Sequence, residues 1–155
     1  MEHSSITRAV LVFLGLILLA QVVFTALAFA FPDLTIPNFV NLLVVLFSAM
    51  AAGRSFADAH GVLPTGAQKT AFAAITTVGT VGLNLGFVAG LLVYYGAPVT
   101  VQTMIFAMTG GNMDLAGMQG ALLAGVAIGL LIGFALAHTG FGSGAKRALK
   151  ARRPA

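Results

Sequence analysis

The chain has 155 residues, of which 59% are hydrophobic and only 8% are charged. A soluble domain normally carries about 25% charged residues, so this composition excludes an ordinary water-soluble globule. Cysteine is absent, which excludes disulfides, thiolate metal sites and cysteine nucleophiles. The net charge of +4 points to an anionic partner, and in so apolar a chain that partner is a membrane surface rather than nucleic acid.

Four apolar stretches are long enough to cross a bilayer, which takes about 20 residues. They lie at about residues 9–31, 36–53, 71–95 and 115–137. The sequence therefore predicts an all-α membrane protein, a bundle of four transmembrane helices within residues 1–139, followed by a basic tail at 140–155. The first stretch also resembles a secretory signal ending at Ala28 or Ala30, but its apolar core is longer than such signals have.

The distribution of positive charge predicts the orientation of these spans. All eight Lys and Arg residues lie before the first span, between the second and third, or in the tail: Arg8, Arg54, Lys69, Lys146, Arg147, Lys150, Arg152 and Arg153. The other two connections carry only Asp33 and Asp114. Because loops rich in Lys and Arg stay in the cytoplasm, we expect both termini and the second connection to be cytoplasmic.

The second connection predicts a tight helical hairpin. Arg54 and Asp58 stand four residues apart and can pair on one helix face. Gly61 suits a left-handed cap at the end of the second helix.

The start of the third helix is marked just as clearly. Pro64 precedes Thr65 and Gln68, which have the spacing of a capping box with Thr65 as N-cap. We therefore expect the third helix to begin near Gly66.

Segments 52–56 and 60–69, which read Ala-Gly-Arg-Ser-Phe and His-Gly-Val-Leu-Pro-Thr-Gly-Ala-Gln-Lys, together carry a family resemblance. They resemble small bacterial inner-membrane proteins with four helices and a cytoplasmic hairpin of the pattern G-x-x-F…G-x-x-P-T-x-x-E/Q. Gln68 stands where Glu is more usual, which keeps the capping role but removes a charge. The resemblance implies the fold and a bacterial inner-membrane location, and no particular activity.

The third connection predicts a short amphipathic helix over residues 98–109. It is too short to cross a bilayer, so we expect it to lie at the outer interface. Four methionines cluster in and after it: Met104, Met108, Met113 and Met118. Thioethers suit Cu(I), but Met also fills gaps at interfaces. We therefore assign no metal and no cofactor, and keep outer-face Cu(I) handling as the lesser alternative.

Small residues recur at every fourth position of the last two spans, in the GxxxG pattern. The third span carries Gly82, Gly86 and Gly90, and the fourth carries Gly125, Gly129 and Gly133 within a longer row. Between helices in lipid, close approach through small residues replaces the hydrophobic effect as the source of stability. We expect the two rows to face each other within the chain, with pairing to a second copy as the alternative.

The polar residues inside the spans indicate what chemistry is available. Gln21, Asn41 and Asn84 are the carboxamides, and Gln21 and Asn84 are expected to meet. No ionisable residue lies at mid-membrane depth, which argues against a proton-coupled transporter. We find no enzyme motif and assign no catalytic residue.

Two functions remain open from the sequence. The first is an accessory or interaction protein whose partners are the lipid bilayer and another membrane protein or a second copy, with no nucleic acid. The alternative is a small oligomeric transporter or channel with the three carboxamides along its path.

Overall fold

The computed structural model describes residues 5–33, 37–108 and 115–152. Within these ranges every regular element is a helix: α1 (Thr7–Ala30), α2 (Asn38–His60), α3 (Gly66–Tyr94), α4 (Val101–Met108) and α5 (Leu115–Ala151). All except α4 are long and apolar enough to cross a membrane. The prediction of an all-helical fold with four such helices is confirmed.

The caps predicted for the α2–α3 hairpin are present. Gly61 has φ 68°, and its N–H donates to the carbonyl oxygen of Ala57 at 2.8 Å. The Gln68 N–H donates to Thr65 Oγ1 at 3.2 Å, while the Thr65 N–H donates to Gln68 Oε1 at 2.9 Å. The capping box is therefore complete, and α3 begins at Gly66, as predicted.

Helix α5 continues well beyond the predicted end of the fourth span. We expected that span to end near residue 137 and a separate tail to follow from 140, whereas one helix of 37 residues reaches Ala151. Glycines in this stretch do not end the helix, because they lie against a neighbour. A Cβ added at Gly140 would lie 2.8 Å from the Cβ of Ala49 on α2. Such packing outweighs the intrinsic helix cost of about 1 kcal/mol for each glycine.

The core lies at one end of the bundle, where each of the four long helices contributes one phenylalanine. The rings of Phe72 and Phe141 stack with centroids 4.1 Å apart and planes at 11°. Phe13 meets the Phe72 ring edge-on at 5.7 Å, and Phe56 meets the Phe141 ring at 5.5 Å. All four side chains are buried. This aromatic cluster therefore ties α1, α2, α3 and α5 together.

Beside the aromatic cluster, α2 and α5 approach each other backbone to backbone. Each helix presents small residues at every fourth position, Ala49, Gly53 and Ala57 on α2 and Gly140, Gly144 and Ala148 on α5, and all six are buried. A Cβ added at Gly53 would overlap the carbonyl of Phe141, and one added at Gly144 would overlap the carbonyl of Met50. We call this contact the α2–α5 seam.

The ends of the helices next to the seam carry the positive charge. Arg8 precedes the buried residues of α1, and Arg54 and Lys69 flank the α2–α3 hairpin. Three further cations follow Gly144 on α5, and Arg152 comes directly after this helix. His60 Nε2 lies 3.4 Å from the carbonyl oxygen of Ser5, which places the start of α1 beside the end of α2. We call this the basic end of the bundle.

The opposite end of the bundle is open. Every residue of α5 from 124 to 132 is exposed. The prediction that the glycine rows of the third and fourth spans face each other within the chain is wrong. A Cβ added at any of six glycines would have no heavy atom within 4 Å: Gly82, Gly86, Gly90, Gly125, Gly129 and Gly133. The α2–α5 seam holds the other half of α5 against α2, and this half diverges from α3.

Candidate functional site

A ladder of polar side chains follows one face of α3, from the buried Thr76 to the half-buried Asn84. Thr76 Oγ1 donates to the carbonyl oxygen of Phe72 at 2.7 Å, and Thr80 Oγ1 donates to that of Thr76 at 2.8 Å. Asn84 Nδ2 then donates to the carbonyl oxygen of Thr80 at 2.9 Å. These bonds to the preceding turn satisfy polar donors locally, as Ser and Thr do within helices.

The ladder ends in the contact that the sequence predicts between two carboxamides. Gln21 Nε2 on α1 donates to Asn84 Oδ1 on α3. This hydrogen bond joins α1 and α3 in the half of the bundle beyond the aromatic cluster, and it confirms the predicted pair. Carboxamide bonds between membrane helices are worth about 0.6 kcal/mol on average, so this one orients the two helices more than it stabilises them.

Two buried polar atoms, one in this carboxamide pair and one two turns earlier on α3, have no protein partner in the described part of the chain. They are Gln21 Oε1 and Thr77 Oγ1. A buried polar atom without a partner costs about 1–3 kcal/mol, and such atoms usually bond to water or to a ligand.

Two adjoining cavities surround these atoms. One of about 240 Å³ lies between α1, α2 and α3 and is lined by Gln21, Asn41, Thr80 and Asn84. The second, about 160 Å³, is lined by Thr76, Thr77, Gly129 and Gly133. Asn41, Val45 and Thr80 line both cavities, so the two lie side by side among mainly apolar residues. We call the pair the polar crevice after the carboxamides and threonines in its lining. The third predicted carboxamide thus lies at the same crevice as the other two.

The polar crevice is bordered by α5, which contributes Leu130, Ala137 and two glycines to its wall. Gly129 and Gly133 border the smaller cavity, and residues 124–132 beside them are exposed. Gly82, Gly86 and Gly90 of α3 are likewise without neighbours at the Cβ position, although they do not face the α5 row. We call these two glycine rows the open face. The four apolar spans of the chain contain no Lys, Arg, Asp, Glu or His, as the ranges 9–32, 38–53, 70–94 and 115–137 show.

The basic end contains the charged pair predicted within α2 and a second pair that was not predicted. Arg54 Nε lies 3.6 Å from Asp58 Oδ2, which confirms the i,i+4 pair. Arg152 Nη2 lies 2.8 Å from Asp58 Oδ1 and also contacts the Asp58 carbonyl oxygen. The second pair joins α2 to the end of α5. Sequence spacing could not reveal it, because it depends on α5 being helical beyond the predicted span.

Helix α4 begins in a threonine turn. The Thr103 N–H donates to Thr100 Oγ1 at 3.2 Å, and the Thr100 N–H donates to Thr103 Oγ1 at 2.9 Å. The helix from Val101 to Met108 lies within the stretch 98–109 that the sequence predicts as a short helix.

The four methionines considered as Cu(I) ligands fall mostly outside the described side chains. Met104 is half-buried on α4. The side chains of Met108 and Met118 and the whole of Met113 lie outside the description. Within the described residues no three His, Asp or Glu side chains group to hold a metal ion. Copper binding by these methionines stays a prediction.

No protein family matches the chain, and no curated protein or solved structure matches it either. The resemblance carried by segments 52–56 and 60–69 stays a prediction. The functional argument therefore comes from the polar crevice, the open face and the basic end.

Proposed function

We propose that the chain is a multi-pass protein of a bacterial inner membrane that acts as an accessory or interaction subunit. Its basic end faces the cytoplasm, because Lys and Arg are retained there during insertion. Helix α4 then lies at the outer interface. The open face receives a transmembrane helix of another membrane protein or of a second copy.

The observation that carries this proposal is the exposure of residues 124–132 on every side of α5. More than two turns of this helix are thus left uncovered by the other described helices. One side carries Gly125 and Gly129, which expose backbone and provide a smooth groove. In lipid, such grooves allow another helix to approach closely, and the resulting van der Waals contacts drive association.

The four spans contain no Lys, Arg, Asp, Glu or His. No charged side chain at the open face can therefore repel a partner helix or select a charged one. The polar groups near it are uncharged, namely Gln21, Asn84 and the threonines of α3. The proposed partner helix is therefore apolar, with small residues of its own on the contacting side and at most an uncharged hydrogen-bonding side chain.

Affinity purification of the tagged chain from native membranes in mild detergent, followed by mass spectrometry, tests this proposal. We expect a stoichiometric membrane partner or a second copy to be recovered, and Gly129→Leu to abolish the recovery. Gly15→Leu is the matched control, because a Cβ at Gly15 on α1 also meets nothing within 4 Å. Recovery of a monomer, or equal recovery with both variants, would contradict the proposal.

A second candidate function is a small transporter or channel that conducts uncharged polar solutes as an oligomer. The observation favouring it is the polar crevice, with Gln21 Oε1 and Thr77 Oγ1 lacking protein partners in the described chain. Flux assays in liposomes test it. Asn84→Leu should abolish flux, whereas Thr139→Val, an exposed position outside the crevice, should not. Absence of flux with the unmodified chain would exclude this function.

A further inference from the structure

We propose that the basic end holds a specific site for the headgroup of an anionic phospholipid, in the groove between α2 and α5. This groove encloses about 510 Å³. Arg54, Arg147 and Arg152 stand around it, and Met50, Ala51 and Ala148 form part of its apolar lining. The site lies at the other end of the bundle from the open face and is separate from any helix-docking role.

The charges around the groove favour an anion. Among the described residues, three arginines line it and Asp58 is its one acidic residue, which leaves an excess of two positive charges. Asp58 pairs with Arg54 and with Arg152. Arg147 is exposed and makes no ion pair within the described residues. Arginine is suited to phosphate because its planar guanidinium donates two parallel hydrogen bonds to one anion.

The apolar lining indicates a lipid rather than a soluble phosphate. A free anion gains nothing from Met50, Ala51 or Ala148, whereas the glycerol and first acyl carbons of a phospholipid would pack there. The groove also lies where α5 changes from apolar to charged, since the helix carries no Lys, Arg, Asp or Glu from Leu115 to Ala145. In the proposed orientation this is the level of the cytoplasmic headgroups, the leaflet surface that carries anionic lipids.

Lipid titration of the purified full chain in mild detergent, read by native mass spectrometry, tests the site. We expect one phosphatidylglycerol to be retained in preference to phosphatidylcholine. Each surface arginine is worth about five-fold in affinity, so Arg54→Gln with Arg147→Gln should weaken retention by at least about ten-fold. Lys146→Gln with Lys150→Gln removes the same charge from α5 outside the groove and should have little effect.

Removing the negative charge from the groove should have the opposite effect on lipid retention and gives a second test. Asp58→Asn releases Arg54 and Arg152 from their carboxylate and should strengthen retention of phosphatidylglycerol. If the double arginine variant is unstable, the titration can use Arg147→Gln alone. Arg147 makes no ion pair in the described chain, so its substitution breaks none.

Two results would overturn the proposal. Equal losses for the arginine pair and the lysine pair would show diffuse attraction instead of a site. Displacement of phosphatidylglycerol by millimolar inorganic phosphate would show a site for soluble anions. Repeating the titration with Gly129→Leu separates this inference from the proposed function, since that variant should lose its helix partner and keep its lipid.

Discussion

At the residue scale, the glycines of this chain differ in why glycine is needed: for its backbone conformation, for its small size, or for neither. Gly61 has a left-handed backbone with open space around it, and Gly144 has a helical backbone with no space at all. Gly66 and Gly129 have a helical backbone and open space. The first requires glycine for its conformation, the second for its size, and the last two for neither reason within the chain.

We expect Gly61→Ala to lower the free energy of unfolding by about 1 kcal/mol, because a Cβ disfavours the left-handed region. Gly66→Ala, five residues later and inside the first turn of α3, should instead be neutral or stabilise by up to about 1 kcal/mol, since it restricts the unfolded chain. Thermal unfolding of both variants in the same detergent measures the difference. A loss of stability at both positions would contradict the assignment of the cap.

The aromatic cluster gives a second residue-scale prediction. Phe72 contacts two other rings and is fully buried, whereas Phe29 near the end of α1 is 62% exposed. Phe72→Ala should destabilise the chain by about 3–5 kcal/mol, the range for buried phenylalanines, and Phe29→Ala should change stability little. Similar melting temperatures for the two variants would show that the cluster does not hold the four helices together.

At the element scale, the glycines of α5 fall into two groups: those packed against α2 in the seam and those exposed on the open face. Gly144→Ala in the α2–α5 seam should destabilise by about 1–3 kcal/mol or more, because the added methyl meets backbone that cannot move aside. Gly129→Ala on the open face should be neutral or stabilising for the isolated chain, as alanine is the better helix former by about 1 kcal/mol. Unfolding of both variants in detergent checks this, and the reverse order would contradict the packing described.

The sequence predicts those elements that depend on local chemistry. The capping box at Thr65 and Gln68, the left-handed Gly61 and the hydrophobic length of the spans are all encoded within a few residues. The pair Gln21–Asn84 was also predictable, because few polar side chains lie inside the spans and both sit at similar depth.

The features that the sequence did not predict depend on which helices are neighbours. The small residues of the fourth span were expected to pack through Gly125, Gly129 and Gly133, whereas the contact forms through Gly140 and Gly144. A signal was present, since Ala49, Gly53 and Ala57 on α2 repeat the same four-residue spacing. It was obscured because residues 140–144 contain three glycines and a serine, a composition typical of a flexible tail.

At the scale of the whole molecule, the bundle is closed at one end and open at the other. The aromatic cluster, the α2–α5 seam and the Asp58 ion pairs all lie at the basic end. Beyond the Gln21–Asn84 bond, the helices expose large apolar side chains such as Leu131 and Val93. Surface of this kind is stable when lipid or another membrane helix covers it. The proposed docking face and the proposed lipid site therefore both depend on the chain crossing a bilayer with its basic end inside.

Cysteine accessibility in intact cells tests that dependence most directly, because the chain has no cysteine of its own. Single cysteines at Asp33 and Tyr95, in the connections at the open end, should react with a membrane-impermeant maleimide added outside. Cysteines at His60 and Lys150, at the basic end, should react only after the membrane is permeabilised. Labelling of all four positions from the same side, or recovery of the chain as a detergent-free soluble monomer, would contradict the account.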